Sequence, residues 1–347
     1  MKTKIPFRLP ALTLSGLLFS LFTVSGQTEL PQSEHYTLER LADGVYAAIH
    51  NNLGGHAICN AGIIDLGDKT VVLDPFMSIA AARDLKEHAE LLTGKPVSLV
   101  LNLHGHSDHT RGNQVFVPGA DILSTPNARK YIEEHFDTEF EGNKRSVYEE
   151  LADIQRQLQT ASGPGKTELT LLEDQCMAIV ESLPELKMTL PNITVSDTMI
   201  IYGSGRRLVL IPAGTGHTDG DMVAYLPDDD IIFMSDLLFV RFHPYFGDGD
   251  PESWKTILKK LIALNPEKAV PGHGPTGDVN SLYLMVDYIE TLTDLVQKEL
   301  DSGGDESRVM NIPVPEKFSD YLLSFFYRIN LRFLYGKMSP PKVGSEK

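Results

Sequence analysis

The chain has 347 residues, 42% of them hydrophobic, with 31 Lys and Arg against 47 Asp and Glu and a formal net charge of −16. That length supports one large core with additions, and two cysteines are too few for a disulfide framework. So acidic a chain, with no basic stripe, repels a phosphate backbone, which excludes nucleic acid as a partner and weighs against a nuclease.

Lys2, Lys4 and Arg8 precede an apolar stretch from Leu9 to Val24, and small residues follow at Ser25-Gly26. This pattern predicts a secretory signal over residues 1–26, cleaved near Gly26, and hence an extracytoplasmic protein, periplasmic or secreted. The apolar stretch is short and contains Pro10, and no later segment is long and apolar enough to span a bilayer, so no stable membrane anchor is expected. Four strands follow, at Tyr36–Leu41, Val45–Ile49, Ala57–Asp65 and Thr70–Leu73, separated by turns at Ala42-Asp43-Gly44 and Leu66-Gly67-Asp68-Lys69. A helix over Ile79–Leu92 leads to the apolar run Val97–Leu103, and that run ends in His104-Gly105-His106-Ser107-Asp108-His109.

Three imidazoles and a carboxylate at offsets 0, 2, 4 and 5 suit neither a helix face nor an alternating strand. The run must turn, with His104 and His106 to one side and Asp108 and His109 carried to a second position nearby, the bend falling at Gly105. These are the borderline ligands that hold zinc. Asp74, closing the strand before, is either a support for this loop or an ordinary turn carboxylate ahead of Pro75.

From about residue 127 to 190 comes a helical insertion, with helices at Arg129–Phe136, Val147–Thr160 and Glu168–Leu183, broken at Gly142 and at Ser162-Gly163-Pro164-Gly165. A lid, a dimer contact and plain decoration are all open to it. The scheme of strands then helix repeats: strands at Met199–Tyr202, Arg207–Ile211, Met222–Leu226 and Ile231–Met234, and a helix over Glu252–Leu264. Within this half His217 lies beside glycines, Asp236 leaves a strand, and His273 stands between Gly272 and Gly274, each where a loop projects from a sheet end. Arg241, His243 and Tyr245 follow Asp236 with no fixed direction. Residues 281–347 read as a helical extension, Leu282–Leu300 and Phe318–Leu334, whose aromatic stripe suits packing. Cys59 lies in an apolar run and Cys176 far from it; buried thiols are the better fit, though in an oxidising compartment the two could pair.

Repeated strands and helix with ligands at strand ends fit an α/β protein, two sheets face to face between outer helices. In this order the four segments resemble the metallo-β-lactamase superfamily from about Tyr36 to Asp278. The resemblance implies a four-layer αββα sandwich over residues 36–280. It implies that His104, His106 and His217 hold one metal, that Asp108, His109 and His273 hold a second, and that Asp236 bridges them. The implied cofactors are two Zn2+ per chain. The implied activity is hydrolysis of a carbonyl ester, thioester, lactone or amide of a small-molecule substrate by a hydroxide held between the metals, with Asp108 also orienting the nucleophile or passing on its proton. Aspartate at the bridging place is similar to glyoxalase II-type thioesterases and lactonases, whereas true β-lactamases of the superfamily carry cysteine or no direct ligand there. Export pulls the other way, since it suits a defence against β-lactam antibiotics. A second alternative is a mononuclear iron persulfide dioxygenase, with Fe in place of zinc. A structural zinc site needs only four groups, and seven are present.

Overall fold

A computed structural model describes residues 29–339; the expected leader over 1–26 lies outside them. The first sheet opens with an antiparallel meander of β1 (Tyr36–Ala42), β2 (Val45–His50), β3 (Ala61–Asp65) and β4 (Thr70–Leu73). Ser78 caps α1 (Ile79–Thr93) by accepting from the Ala81 N–H, and Gly94 ends it in the left-handed region. The helix crosses to β5 (Val97–Leu101), parallel to β4. A short α2 (Ser107–Thr110) follows, then β6 (Asp121–Ser124), α3 (Pro126–Leu158), α4 (Gly163–Ser182) and the two-residue β7 (Ile193–Thr194), β6 and β7 extending the parallel edge.

The second sheet repeats the plan. Strands β8 (Met199–Tyr202), β9 (Arg207–Gly214), β10 (Asp221–Leu226) and β11 (Ile231–Phe239) form a meander. Helix α5 (Pro251–Ile262), capped by Asp250, crosses to β12 (Lys268–His273), parallel to β11. Helices α6 (Val279–Asp301), α7 (Glu306–Met310) and α8 (Ser324–Met338) complete the described chain.

Two cores hold these layers together. Between the sheets, Leu73, Leu101 and Leu103 of the first meet Ala224, Phe233 and Val270 of the second. On the outer face of the second sheet, Trp254 of α5, Tyr288 and Ile289 of α6 and Leu331 of α8 pack on Met234 and Leu238. Strand β11 has both faces covered, and all nine of its residues are buried, as a sheet between two apolar layers requires. The buried face of α1, Ile79, Ala82, Leu85 and Ala89, closes the other outer side. This is the αββα arrangement expected from the sequence.

The boundaries differ from expectation at several places, and α4 already begins at Gly163, inside the break expected at residues 162–165. Strand β3 begins at Ala61 rather than Ala57, because Ile58 takes φ +74° and Asn60 spends its side chain bridging other loops. Strand β11 runs on to Phe239, through Asp236. Gly142 does not break the insertion: α3 is continuous over 33 residues, and one glycine costs it only about 1 kcal/mol against alanine. Residues 319–323, after a 3-10 turn over Glu316–Phe318, are not helical, since Leu323 sits at φ +59° and α8 starts only at Ser324. Among the described residues no helix is long and apolar enough to cross a membrane.

Candidate metal centre

All seven side chains singled out in the sequence converge. After β5 the chain is held by Leu103, whose N–H donates to Asp74 Oδ1 at 2.8 Å and whose carbonyl accepts from Met222 N–H, also at 2.8 Å, so the ligand loop is pinned to both sheets. His106 then stands in extended backbone at the start of α2, and the turn carries Asp108 and His109 into a second group, with the His109 ring 4.3 Å from that of His104. The ligating atoms of His104, His106, His217 and Asp236 lie within 4.8 Å of one another, and those of Asp108, His109 and His273 form a second such group. Asp236 stands between them. Its Oδ2 is 3.2 Å from His217 Nε2 and 3.9 Å from His104 Nε2, while its Oδ1 is 3.1 Å from His109 Nε2 and 3.5 Å from His273 Nε2. Asp108 Oδ2 lies 3.4 Å from His109 Nε2 and 3.3 Å from His273 Nε2.

Four of the five imidazoles are oriented from behind. His109 Nδ1 meets Asp74 Oδ2 at 3.0 Å, and His104 Nδ1 meets Ser235 Oγ at 3.1 Å. His217 Nδ1 donates to the Tyr245 carbonyl at 3.0 Å, and His106 Nε2 donates to Asp248 Oδ2 at 3.0 Å. A carbonyl only accepts, so the His217 proton is on Nδ1, and its Nε2 presents a lone pair. The Asp248 contact places the His106 proton on Nε2 by the same logic and leaves a lone pair on Nδ1. These two lone pairs face each other at 3.0 Å, an arrangement that repels unless a cation sits against both.

The donor set therefore fits a divalent cation in each group. Three further atoms, His104 Nε2, His109 Nε2 and Asp236 Oδ1, are fully buried and lack a hydrogen-bond partner; His109 Nε2 and Asp236 Oδ1 are close but out of line. Leaving one such atom unpaired costs about 1–3 kcal/mol, and metal coordination removes that cost. Burial pushes both carboxyls up, but the surrounding imidazoles prevail and hold Asp108 and Asp236 well below the usual carboxylate range. Burial lowers His273, yet Asp236 and Asp108 raise it to about 9. His104, where burial and the neighbouring His109 act together, is held well below the ordinary imidazole value.

Several contributors were not legible as such in the sequence. The Asp221 carboxylate accepts from the N–H groups of Gly216, His217 and Thr218 at 2.7–3.1 Å and fixes the His217 loop. Asn60 donates to the carbonyls of Pro271 and Gly274 at 2.9 and 2.7 Å, holding the loop around His273. Gly272 is required by contact: a Cβ there would lie 1.8 Å from Asp236 Oδ1. Of the three residues after Asp236 with no fixed direction, only Tyr245 lines the cavity. Arg241 turns out to Asp320, and His243 is buried against Tyr288 Oη at 2.7 Å. Cys59 and Cys176 are free and buried. Burial pushes their thiols up to about 12 and about 11, and Cys59 donates to the Asp108 carbonyl.

The centre opens into a cavity of about 300 Å³. His106, Asp108, Asp236 and His273 line it together with Phe239 and Phe242. Tyr131 of α3 and Leu171 and Asp174 of α4 also line it, so the insertion supplies part of the wall; Leu323 and Phe326 add another part from the C-terminal region.

Comparison with known proteins agrees with this geometry. Residues 54–273, well over half of the chain, match the family model described as Metallo-beta-lactamase superfamily. The chain is 28% identical over 151 residues to the 2,4-dinitroanisole O-demethylase subunit beta of Nocardioides sp. (strain JS1661), a match spanning 43% of this chain and 46% of that protein's length. Among solved structures, a metallo-beta-lactamase from Pontibacter korlensis superposes with a TM-score of 0.52 at 16% identity, covering 74% of this chain and 99% of that one. The crystal structure of VMB-1 at pH 5.5 gives 0.52 at 16% identity, covering 75% and 99%. At that identity the structural likeness speaks for the fold alone. With the ligand-bearing segments inside the matched stretch, the chain belongs to the metallo-beta-lactamase superfamily.

Proposed function

We propose that the protein is an exported dinuclear zinc hydrolase that cleaves an ester, thioester, lactone or amide of a small molecule. The observation that carries this reading is the double donor set around Asp236, with buried, unpartnered nitrogens and oxygen facing inward. Two zinc ions bound there supply Lewis acidity and bring the ionisation of water towards neutral pH. His104, His106 and His217 would hold one, Asp108, His109 and His273 the other, with Asp236 shared.

The chain's own groups supply orientation and proton handling. Asp108 lines the cavity, and only its Oδ2 is within ion-pair distance of His109 and His273. Its ionised Oδ1 is therefore available to take the nucleophile's proton and return it to the leaving group. Phe239 and Phe242 make the adjacent wall apolar, which excludes bulk water and strengthens every charge interaction at the centre. Export rests on the leader pattern of residues 1–26.

The test is metal analysis of the mature protein together with a hydrolysis panel: a thioester, an aryl ester, a lactone, a chromogenic cephalosporin and, because the matched relative carries it in its name, 2,4-dinitroanisole. About two zinc per chain and turnover of one class, lost in Asp108→Ala, support the reading. Iron with oxygen uptake on a persulfide overturns it, as does an Asp108→Ala variant as active as its parent.

A further inference from the structure

The walls of the cavity hold a charge arrangement that the metal chemistry does not use. Among the described residues no lysine or arginine lines it, while three carboxylates outside the ligand set do: Glu139, Asp174 and Asp248. Two of the three are already matched. Glu139 Oε2 accepts from Arg111 at 3.3 Å, and Asp248 Oδ2 takes the His106 N–H and the Tyr131 hydroxyl.

Asp174 is different. It is only 5% exposed, and its one hydrogen bond is at Oδ2, from the Gly54 N–H at 2.9 Å. His56, which acts on it electrostatically, is itself turned to Glu181 Oε2 at 2.8 Å. Its Oδ1 makes no hydrogen bond within the protein and is open to a cavity that Phe239, Phe242, Phe326, Tyr131 and Tyr245 also line. A buried carboxylate is costly to keep ionised without a counter-charge, and burial pushes this one up to about 6. A carboxylate and aromatic side chains lining one cavity suit a cation on both counts, since ring quadrupoles and the anion attract it together.

Building on the hydrolase reading, we infer that the substrate carries a positively charged ammonium group, which Asp174 pairs with inside the aromatic wall while the acyl group faces the metal centre. Away from the metal centre, anionic substrates, including carboxylate-bearing β-lactams, find no lysine or arginine on these walls.

The test uses two isosteres that differ only in charge, choline and 3,3-dimethylbutan-1-ol, titrated calorimetrically into the zinc-loaded full chain. Neither depends on turnover. The expectation is that choline binds about tenfold or more tightly than its neutral counterpart, and that Asp174→Asn, which keeps an acceptor for the Gly54 N–H, reduces choline to the affinity of the alcohol. Equal binding of the two by the parent protein, no binding of either, or a preference that survives in Asp174→Asn overturns the inference. The acetate esters of the same two alcohols separate it from the hydrolase reading. Hydrolysis of both with equal KM leaves the hydrolase and removes the ammonium site, whereas selective choline binding without hydrolysis of either ester does the reverse.

Discussion

Replacing Asp74 with asparagine tests whether the ligands depend on the groups behind them. The carboxylate receives three hydrogen bonds: Leu103 N–H on Oδ1 at 2.8 Å, and both the Ser235 hydroxyl and His109 Nδ1–H on Oδ2. Asparagine is the right probe, because Asp74 sits at φ +47° and asparagine tolerates that left-handed region better than other residues with a side chain. It has only one acceptor oxygen, however. If that oxygen stays on Leu103, the amide NH2 faces His109 Nδ1 and forces the imidazole proton onto Nε2, the atom aimed at the second metal group. If it turns to His109, the buried Leu103 N–H is left facing a donor, at a cost of about 1–3 kcal/mol. The first route weakens the second metal by about 10–100-fold, or roughly 1.4–2.7 kcal/mol, and the second lowers folding stability instead. Chelator competition, resolving the first and second equivalents, reads this directly. Unchanged affinity for both equivalents, with unchanged thermal unfolding, would refute the claim that Asp74 sets the His109 tautomer.

Gly272→Ala should displace the Asp236 carboxylate, which lies 1.8 Å from where the new Cβ would sit, so metal content should fall and activity should drop by about 100-fold or more; full metal occupancy in that variant contradicts the close approach. His243 is held at about 4 by burial, so the folded state prefers the neutral ring, and its contribution is complete above the unfolded value of 6.5 and lost as pH falls towards 4. By about pH 5 the loss amounts to about 2 kcal/mol. Urea unfolding should therefore show a shallower pH slope for His243→Gln than for the parent over that window, and parallel slopes would count against it.

The metal centre was legible in the sequence because its chemistry is concentrated in short, unusual runs: His104 to His109 alone carries four of the seven ligands, and His217 and His273 each stand beside glycine, whereas Asp236 lies inside β11. What supports those ligands was not legible, since it acts across the fold. Asn60 bonds to Pro271, 211 residues away, and His106 bonds to Asp248, 142 residues away; no local pattern marks either. The helical insertion was visible as composition, but its continuity through Gly142 was not, because a glycine on an open helix face costs little enough for the rest of α3 to absorb. Phe326 read as packing from its helical spacing, and only the return of α8 to the cavity shows its second role.

The cavity draws on two sources that share no segment: metal ligands come from the ends of the two sheets, whereas Tyr131, Leu171 and Asp174 come from the insertion and Leu323 and Phe326 from the chain's last third. Part of the recognition wall is thus encoded apart from the reacting groups, the rest coming from Phe239, Phe242 and Tyr245 beside the ligands. Substitutions in the insertion or the tail can retune which molecule is accepted while the reacting groups stay as they are, and exchanging those two pieces between relatives is the natural way to graft one specificity onto another's catalyst.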